Sequence, residues 1–406
     1  MQWRGLVKQL SHDGLDEVMA KEKMRVYSGF DPTASSMHVG NLMPTMALRR
    51  AQLAGHHPIV LVGGATGMIG DPSGKSSERN LLDMETLERN VEGLSKQFSR
   101  FIDFDDATLV NNFDWFEGIG YLEFLREVGK HFSVNAMIAR DSVRTRLEER
   151  EHGISYTEFS YMLIQAYDFW HLYKEHGCKL QLGGSEQWGN IASGIDIIRR
   201  LGGGEAYGMT LPLLLDASGK KFGKSEEGAV WLDPDRTSPY DFYQYFLRTD
   251  DRDVIRVLRY LTTLEREKID ELEERHAAAP EKREAARELA QWMTALVHGE
   301  DEAKRAEASA KALFDPNAKG DLPPGTPTYA CEASKLEAGW PLVDAIVESG
   351  LLPSKGKARK AIEQGGIYVN GERQTDTART LTTADAEGGD VRLRHGKKNH
   401  MVLQPS

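Results

Sequence analysis

At 406 residues the chain exceeds what one hydrophobic core serves, which sets an expectation of two or three domains. Hydrophobic residues at 40% and charged residues at 28% exclude a disordered or collagen-like chain, and no run nears the roughly 18 apolar residues of a membrane span. The net charge of -11 argues against a uniformly basic, nucleic-acid-coating surface, but Pro341 to Ser406 carries 10 Lys+Arg against 8 Asp+Glu, so that tail is +2 and residues 1 to 340 hold -13.

In chain order, the first third alternates strand and helix, the pattern of a parallel sheet covered by helices. Val26 to Phe30 reads as a strand, Asp31-Pro32-Thr33 as a turn, about Gly40 to Ala54 as a helix and Ile59 to Val62 as the next strand, together a βαβ unit. A further helix is expected from Ser155, spaced with Glu158 as a capping box, to about Glu175, followed by a strand over Lys179 to Leu182. From Tyr240 to Leu313 the composition shifts to Glu, Lys, Arg and Ala, which predicts a helical domain with solvated faces. Pro316, Pro323, Pro324 and Pro327 mark a linker. Beyond it, Trp340 to Ser406 opens with an amphipathic helix (Leu342, Ile346, Val347) and contains the hairpin turn Asn370-Gly371 after Ile367 to Val369. The expected domains are 1–233, 234–314 and 340–406, with 315–339 as linker. Cys178 and Cys331 stand alone in the sequence, and Met1 to Leu10 lacks a signal-peptide core, so a soluble cytoplasmic protein without structural zinc is expected.

Three stretches carry chemistry. The glycine-rich run from Gly63 to Ser76 is not a Walker loop, because the glycine required five residues before Gly74 is Ile69. It reads as a flexible loop at the C-terminal edge of a strand, where open α/β sheets place ligands, and equally as a purely structural turn. His38-Val39-Gly40-Asn41 falls at a helix start, where unpaired N–H groups receive polyphosphate, although a histidine there also serves as a cap. Ser218 to Ser225 holds Lys221 and Lys224 three apart on a glycine-containing loop; such lysines neutralise charge on a leaving pyrophosphate, or simply stay solvated.

Together the last two stretches resemble the paired HIGH and KMSKS signatures of class I aminoacyl-tRNA synthetases, written here HVGN and KFGKS. Asn41 replaces the final histidine, and Phe222-Gly223 replace Met-Ser. Longer stretches, YSGFDPTASSMHVGN, VGGATGMIGDPSGKSSER, VGKHFSVN, EFSYMLIQAYDF and QLGGSEQWGN, resemble the tyrosyl-tRNA synthetase family over nearly the whole chain. The resemblance implies an α/β fold: a Rossmann-like catalytic domain with a dimerisation insertion, a helical domain and a small α+β RNA-binding module. It implies activation of L-tyrosine by ATP, with Mg2+ carried by the nucleotide and no protein-bound metal, then transfer to tRNA(Tyr).

Tyr161, Gln165 and Asp168, at i, i+4 and i+7, share one helix face, which could also be an ordinary polar outer face. By the resemblance, Asp168 and Tyr27 bind the phenolic hydroxyl, Tyr161, Gln165 and Asp71 hold the ammonium, and Gln181 and Gln187 complete the pocket. Thr33, His38, Lys221, Lys224 and Ser225 then act on the phosphates, and Gly29, Asp31, Gly40 and Asn41 join the ATP site. Glu186 stands where the family pattern has aspartate. The tail resembles the RNA-binding module named after ribosomal small-subunit protein S-four, in SKGKARKAIEQGGIYVNGE and RHGKKNH, so Lys355, Lys357, Arg359, Lys360, Lys397 and Lys398 are expected to contact tRNA. A homodimer meeting around Lys130 to Asn135 is also implied. The rival readings are a tryptophanyl-tRNA synthetase, disfavoured by Asp168 facing Tyr27, and a noncatalytic RNA-binding paralogue, disfavoured by the intact HVGN and KFGKS residues.

Overall fold

The computed structural model describes all residues except 74–81, 149–152, 226–227, 315–326, 387–388 and 397–398, and the side chains at 141–142, 224–225 and 312–314. It divides into two compact units, one of Met1–Thr237 with Tyr245–Val297 and one of Ser238–Gln244 with His298–Ser406.

The first unit is built on a six-stranded sheet: β1 (Gln9–Leu10), β2 (Arg25–Phe30), β3 (His57–Val62), β4 (Thr108–Asn111), β5 (Cys178–Gly184) and β6 (Tyr207–Leu211), in the order β1-β6-β5-β2-β3-β4. All pairings are parallel except β1 with β6. β2, β3 and β5 are buried at most positions, as parallel strands covered on both faces are, and β3 reads as an apolar run. Tyr27, Ile59, Leu61 and Cys178 on the sheet pack with Phe169, Leu172 and Ile198 from helices Tyr156–His176 and Trp188–Arg200. Each such side chain contributes roughly 1.5–3 kcal/mol when fully buried. The expected Rossmann-like α/β class is what the chain adopts. The chain runs from β2 outward to β3 and β4, then returns to the other side of β2 at β5. The switch point therefore lies between β2 and β5, where open sheets hold ligands beyond their carboxyl ends.

Two local expectations change. Ser155 does cap helix Tyr156–His176, its hydroxyl accepting the Glu158 N–H, but the Glu158 carboxylate turns away to the Arg146 guanidinium (2.8 and 3.3 Å), both side chains being buried. Arg146 Nε also donates to the Gly153 carbonyl, so this cation outcompetes a backbone N–H for the carboxylate. The glycine-rich run does not begin as a flexible loop: Gly64–Ile69 is a short helix tied to the end of β4 by Asn111 Oδ1 accepting Gly64 N–H (3.1 Å) and Asn112 Oδ1 accepting Ala65 N–H (2.7 Å). The glycines there serve close approach, since a Cβ on Gly63 would stand 2.6 Å from Asp31 Oδ1.

After β6, a two-stranded ribbon of β7 (Lys224–Ser225) and β8 (Gly228–Ala229) carries the lysine signature. The second unit includes helix Glu300–Phe314 and a five-stranded sheet in the order β12-β11-β14-β15-β9, from β9 (Thr328–Cys331), β11 (Ile367–Val369), β12 (Glu372–Gln374), β14 (Val391–His395) and β15 (Asn399–Pro405), with a small ribbon of β10 (Trp340–Pro341) and β13 (Thr380–Leu381). Its core gathers Trp340, Leu342, Ile346, Ile362, Ile367, Leu393 and Leu403. The β11–β12 hairpin turns on Asn370 (φ 49°) and Gly371 (φ 87°), the left-handed pair that a two-residue hairpin requires. Residues 328–338, inside the stretch expected as linker, supply β9 and helix Ala333–Ala338. Among the described residues no helix is long and apolar enough to cross a membrane.

Candidate active site

Tyr27 of β2 and Gln181 of β5 are register partners across the switch point, so their side chains lie side by side on one face. Both are buried, and neither Tyr27 Oη nor Gln181 Oε1 has a hydrogen-bond partner among the described residues. Native folds rarely leave buried polar atoms in that state, and a ligand carrying its own donor and acceptor would satisfy them. Asp168, one turn beyond Gln165, is buried beside them. Burial, reinforced by the charge of Asp31, pushes its carboxyl well above the usual range, while hydrogen bonds from Asn112 and Trp115 oppose the shift. The Tyr27 phenol is raised too, by burial first and then by the charge of Asp168.

Asn112 Nδ2 donates to Asp168 Oδ2 (3.1 Å) and Trp115 Nε1 donates to Asp168 Oδ1 (3.0 Å). The Trp115 ring stacks on His171, centroids 4.3 Å apart, which fixes the indole's direction. Neither residue was singled out in the sequence. The available signal was the polar pair Asn111-Asn112 at the carboxyl end of an apolar strand, the position at which this kind of sheet presents ligands.

The remaining members of the expected tyrosine set fall into two hydrogen-bonded groups, Tyr161 with Asp31 and Gln165 with Gln187 and Asp71. Tyr161 Oη donates to Asp31 Oδ2 (3.0 Å), placing a residue expected in the ATP site beside one expected at the ammonium. Gln187 Nε2 donates to Asp71 Oδ2 (2.6 Å), and Gln165 Nε2 donates to Gln187 Oε1 (3.2 Å). Asn190, also missed, donates to Gln165 Oε1 (2.9 Å) and lies within reach of Gln187 Oε1 (3.1 Å), closing the chain. Tyr161 and Asp168 are buried, so the shared face of helix Tyr156–His176 is not an outer face. Glu186 keeps an exposed edge at the rim; partial desolvation and the charge of Asp71 raise its carboxyl, and Lys221 opposes them. It therefore sits electrically between the tyrosine network and the lysine loop.

The two signatures meet. His38 leads into a turn of 3-10 helix, Val39–Asn41, and helix Leu42–Leu53; its N–H donates to Asn41 Oδ1 (2.9 Å), so Asn41 acts as a cap. The His38 ring lies over Gly40, where a Cβ would be 2.7 Å from Cε1, and meets the Trp231 ring at 5.9 Å. Val39 N–H donates to the Val230 carbonyl (2.9 Å), Val230 N–H to the Gly223 carbonyl (3.0 Å) and Leu232 N–H to the Met37 carbonyl (2.9 Å). Gly223 itself, at φ 100°, packs on Gly40. Lys221 is exposed on the same loop, and Lys224 and Ser225 continue it in β7, their side chains outside the described set. Thr33 is exposed just after β2, its N–H bonded to the Asp31 carbonyl (2.8 Å), and Gly29 lies within β2.

In the second unit, Lys355, Lys357, Arg359 and Lys360 are exposed on helix Lys355–Glu363, whose other face buries Ala358, Ala361 and Ile362. Lys355 pairs with Asp344 at 2.8 Å. Lys397 and Lys398 lie outside the described residues.

The histidine-bearing helix start and the lysine-bearing loop are fastened to each other by backbone hydrogen bonds, and Tyr27, Gln181 and Asp168 are buried at the switch point of the parallel sheet. The chain belongs to the family described as tRNA synthetases class I (W and Y), whose model matches residues 19–315. Residues 323–403 match the tyrosine–tRNA ligase SYY-like C-terminal domain. The tyrosine–tRNA ligase of Bacillus velezensis is 48% identical over 99% of this chain and 98% of its own length, and that of Rhodopirellula baltica 49% identical over 100% and 95%. Among solved structures, a C-terminally truncated mitochondrial tyrosyl-tRNA synthetase of Aspergillus nidulans superposes with a TM-score of 0.70 at 32% identity, covering 77% of this chain and 92% of that one. A tryptophanyl-tRNA synthetase of Encephalitozoon cuniculi shares the fold, with a TM-score of 0.56 at 15% identity, covering 75% of this chain and 86% of its own.

Proposed function

We infer that this chain is a tyrosine–tRNA ligase, working in the cytoplasm, that forms tyrosyl-adenylate from L-tyrosine and ATP and then charges tRNA(Tyr). The observation that carries the choice of amino acid is the pocket of Tyr27, Gln181 and Asp168. A phenol supplies both a donor for Asp168 and a partner for Tyr27 Oη. Phenylalanine would leave Tyr27 Oη without a partner at a cost of about 1–3 kcal/mol, and an indole N–H can donate but cannot also accept.

Tyr161, Gln165 and Asp71 hold the ammonium, with Gln187 completing the pocket, which directs the carboxylate towards the signatures. A carboxylate oxygen attacks the α-phosphorus of ATP, the bond to the bridging oxygen breaks, and pyrophosphate leaves with the electron pair. ATP brings Mg2+, which supplies charge neutralisation on the phosphates. Thr33, His38, Lys221, Lys224 and Ser225 position the β- and γ-phosphates, with Gly29, Asp31, Gly40 and Asn41 lining the nucleotide's approach. The substrate carboxylate is itself the nucleophile, so none is required of the protein, and fixed donors aimed at charge that develops during the reaction need no reorganisation. In the second step a hydroxyl of the tRNA's terminal ribose attacks the adenylate carbonyl and AMP departs. Lys355, Lys357, Arg359 and Lys360, with Lys397 and Lys398, neutralise tRNA phosphates.

The chain acts as a homodimer through its insertion. In support, Tyr121, Leu122, Val134 and Tyr156 are apolar side chains more than half exposed there, close in sequence to the expected 130–135 segment.

Amino-acid-dependent ATP–pyrophosphate exchange across all twenty amino acids tests the reading. Exchange with tyrosine alone is expected; exchange driven by tryptophan, or none at all, overturns it.

A further inference from the structure

The turn that precedes the signature lysines is shaped from within: Asp216 Oδ1 accepts the N–H groups of Ser218 (2.8 Å) and Lys220 (3.0 Å), and Gly219 N–H reaches the Asp216 carbonyl (2.9 Å). Three residues outside every motif, Asp253, Arg256 and Tyr245, fasten it to the rest of the molecule. At its start, the buried Asp253 carboxylate accepts the Ala217 N–H (2.6 Å), while Arg256 neutralises that carboxylate and donates to the Leu215 carbonyl (2.7 Å). At its end, Tyr245 Oη accepts the Gly223 N–H (2.6 Å), and the Tyr245 ring meets Phe222 edge-on with centroids 5.2 Å apart.

We propose that Tyr245 is a positioning residue for amino-acid activation: its hydroxyl locks the Gly223 peptide and so sets where Lys221 and Lys224 stand relative to the nucleotide. The proposal rests on reading those lysines as phosphate-binding groups. Gly223 lies between them, and its two backbone polar groups are both committed, the carbonyl to Val230 N–H and the N–H to Tyr245. With φ at 100°, glycine has wide conformational freedom, and these two bonds, with the packing against Val39 and Gly40, hold the residue in place. Removing the hydroxyl frees one side of the peptide plane and leaves its N–H buried without a partner. Burial and the nearby charge of Asp216 raise the Tyr245 phenol, so it stays neutral and the lock is constant over the working pH range.

The test is Tyr245→Phe in the full chain, which keeps the ring against Phe222, compared with Lys224→Ala and the double variant. Tyrosine-dependent pyrophosphate exchange is expected to lose about tenfold in kcat, the equivalent of one hydrogen bond, with tyrosine affinity within about twofold and a melting temperature lowered by no more than a few degrees, the cost of one buried N–H left without its partner. Because the hydroxyl acts through the lysines, Tyr245→Phe should cost little further in the Lys224→Ala background. Wild-type kcat in Tyr245→Phe while Lys224→Ala is impaired overturns the positioning role alone, as do losses that multiply in the double variant. A fully active Lys224→Ala overturns the lysine reading and this inference with it.

Discussion

A Cβ on Gly223 would stand 3.0 Å from the Gly40 backbone nitrogen and 3.2 Å from Val39 Cβ, so the glycine of the lysine signature is seated directly on the glycine of the histidine signature. Gly223→Ala meets both this contact and the left-handed φ of 100°. Stability should fall by about 1–2 kcal/mol, and activation should slow by at least about tenfold, since small misplacements of phosphate-binding groups are costly. Thermal unfolding and pyrophosphate exchange measure the two effects; a variant with normal exchange would show that the two signatures tolerate separation.

The indole N–H of Trp115 is one of two donors that aim Asp168 at the pocket. Trp115→Phe removes it while keeping an aromatic ring against His171. The expected result is a tyrosine dissociation constant raised about tenfold, the value of one hydrogen bond, with ATP affinity little changed. Equilibrium tyrosine binding decides the matter, and unaltered affinity would assign Trp115 to packing alone.

Asp168 also predicts a pH dependence. Its folded-state pKa is raised, chiefly by burial, so the folded state holds the proton more tightly than the unfolded chain. Its contribution to stability is therefore fully present below the unfolded value of about 3.9 and is lost as the pH rises through the folded value. Asp168→Asn cannot ionise and should escape that loss. Melting temperatures measured without tyrosine should show the variant gaining on wild type as pH rises from about 4; parallel curves would contradict the prediction.

The Arg146–Glu158 pair holds the start of the helix that carries Tyr161, Gln165 and Asp168. Arg146→Met strands a buried carboxylate and should cost about 3–5 kcal/mol, whereas adding Glu158→Leu should restore most of the loss. Denaturant unfolding of the single and double variants checks this; equal destabilisation by both would mean the charges themselves are dispensable and packing is the issue.

Much of this architecture follows from local chemistry. The strand candidate Val26 to Phe30 and the apolar run Ile59 to Val62 became β2 and β3, Ser155 became a cap, Asn370-Gly371 became the hairpin turn, and the i, i+4, i+7 spacing put Tyr161, Gln165 and Asp168 on one face. Each depends on backbone preference or on period, which neighbouring residues settle between themselves. The family signatures added the pairing of HVGN with KFGKS as an expectation.

The partners across long separations were decided by tertiary structure alone. Glu158 had a backbone N–H within its own turn and took Arg146 instead; Asp168 received Asn112 and Trp115 from the segment after β4; Tyr161 found Asp31; Gly223 found Tyr245 and Gly40. Spacing states which side chains point together from one element, but the face they meet depends on how sheet and helices stack. Competition among buried polar groups is resolved only when that stacking has removed water, because only then does each unsatisfied donor or acceptor carry its full desolvation cost.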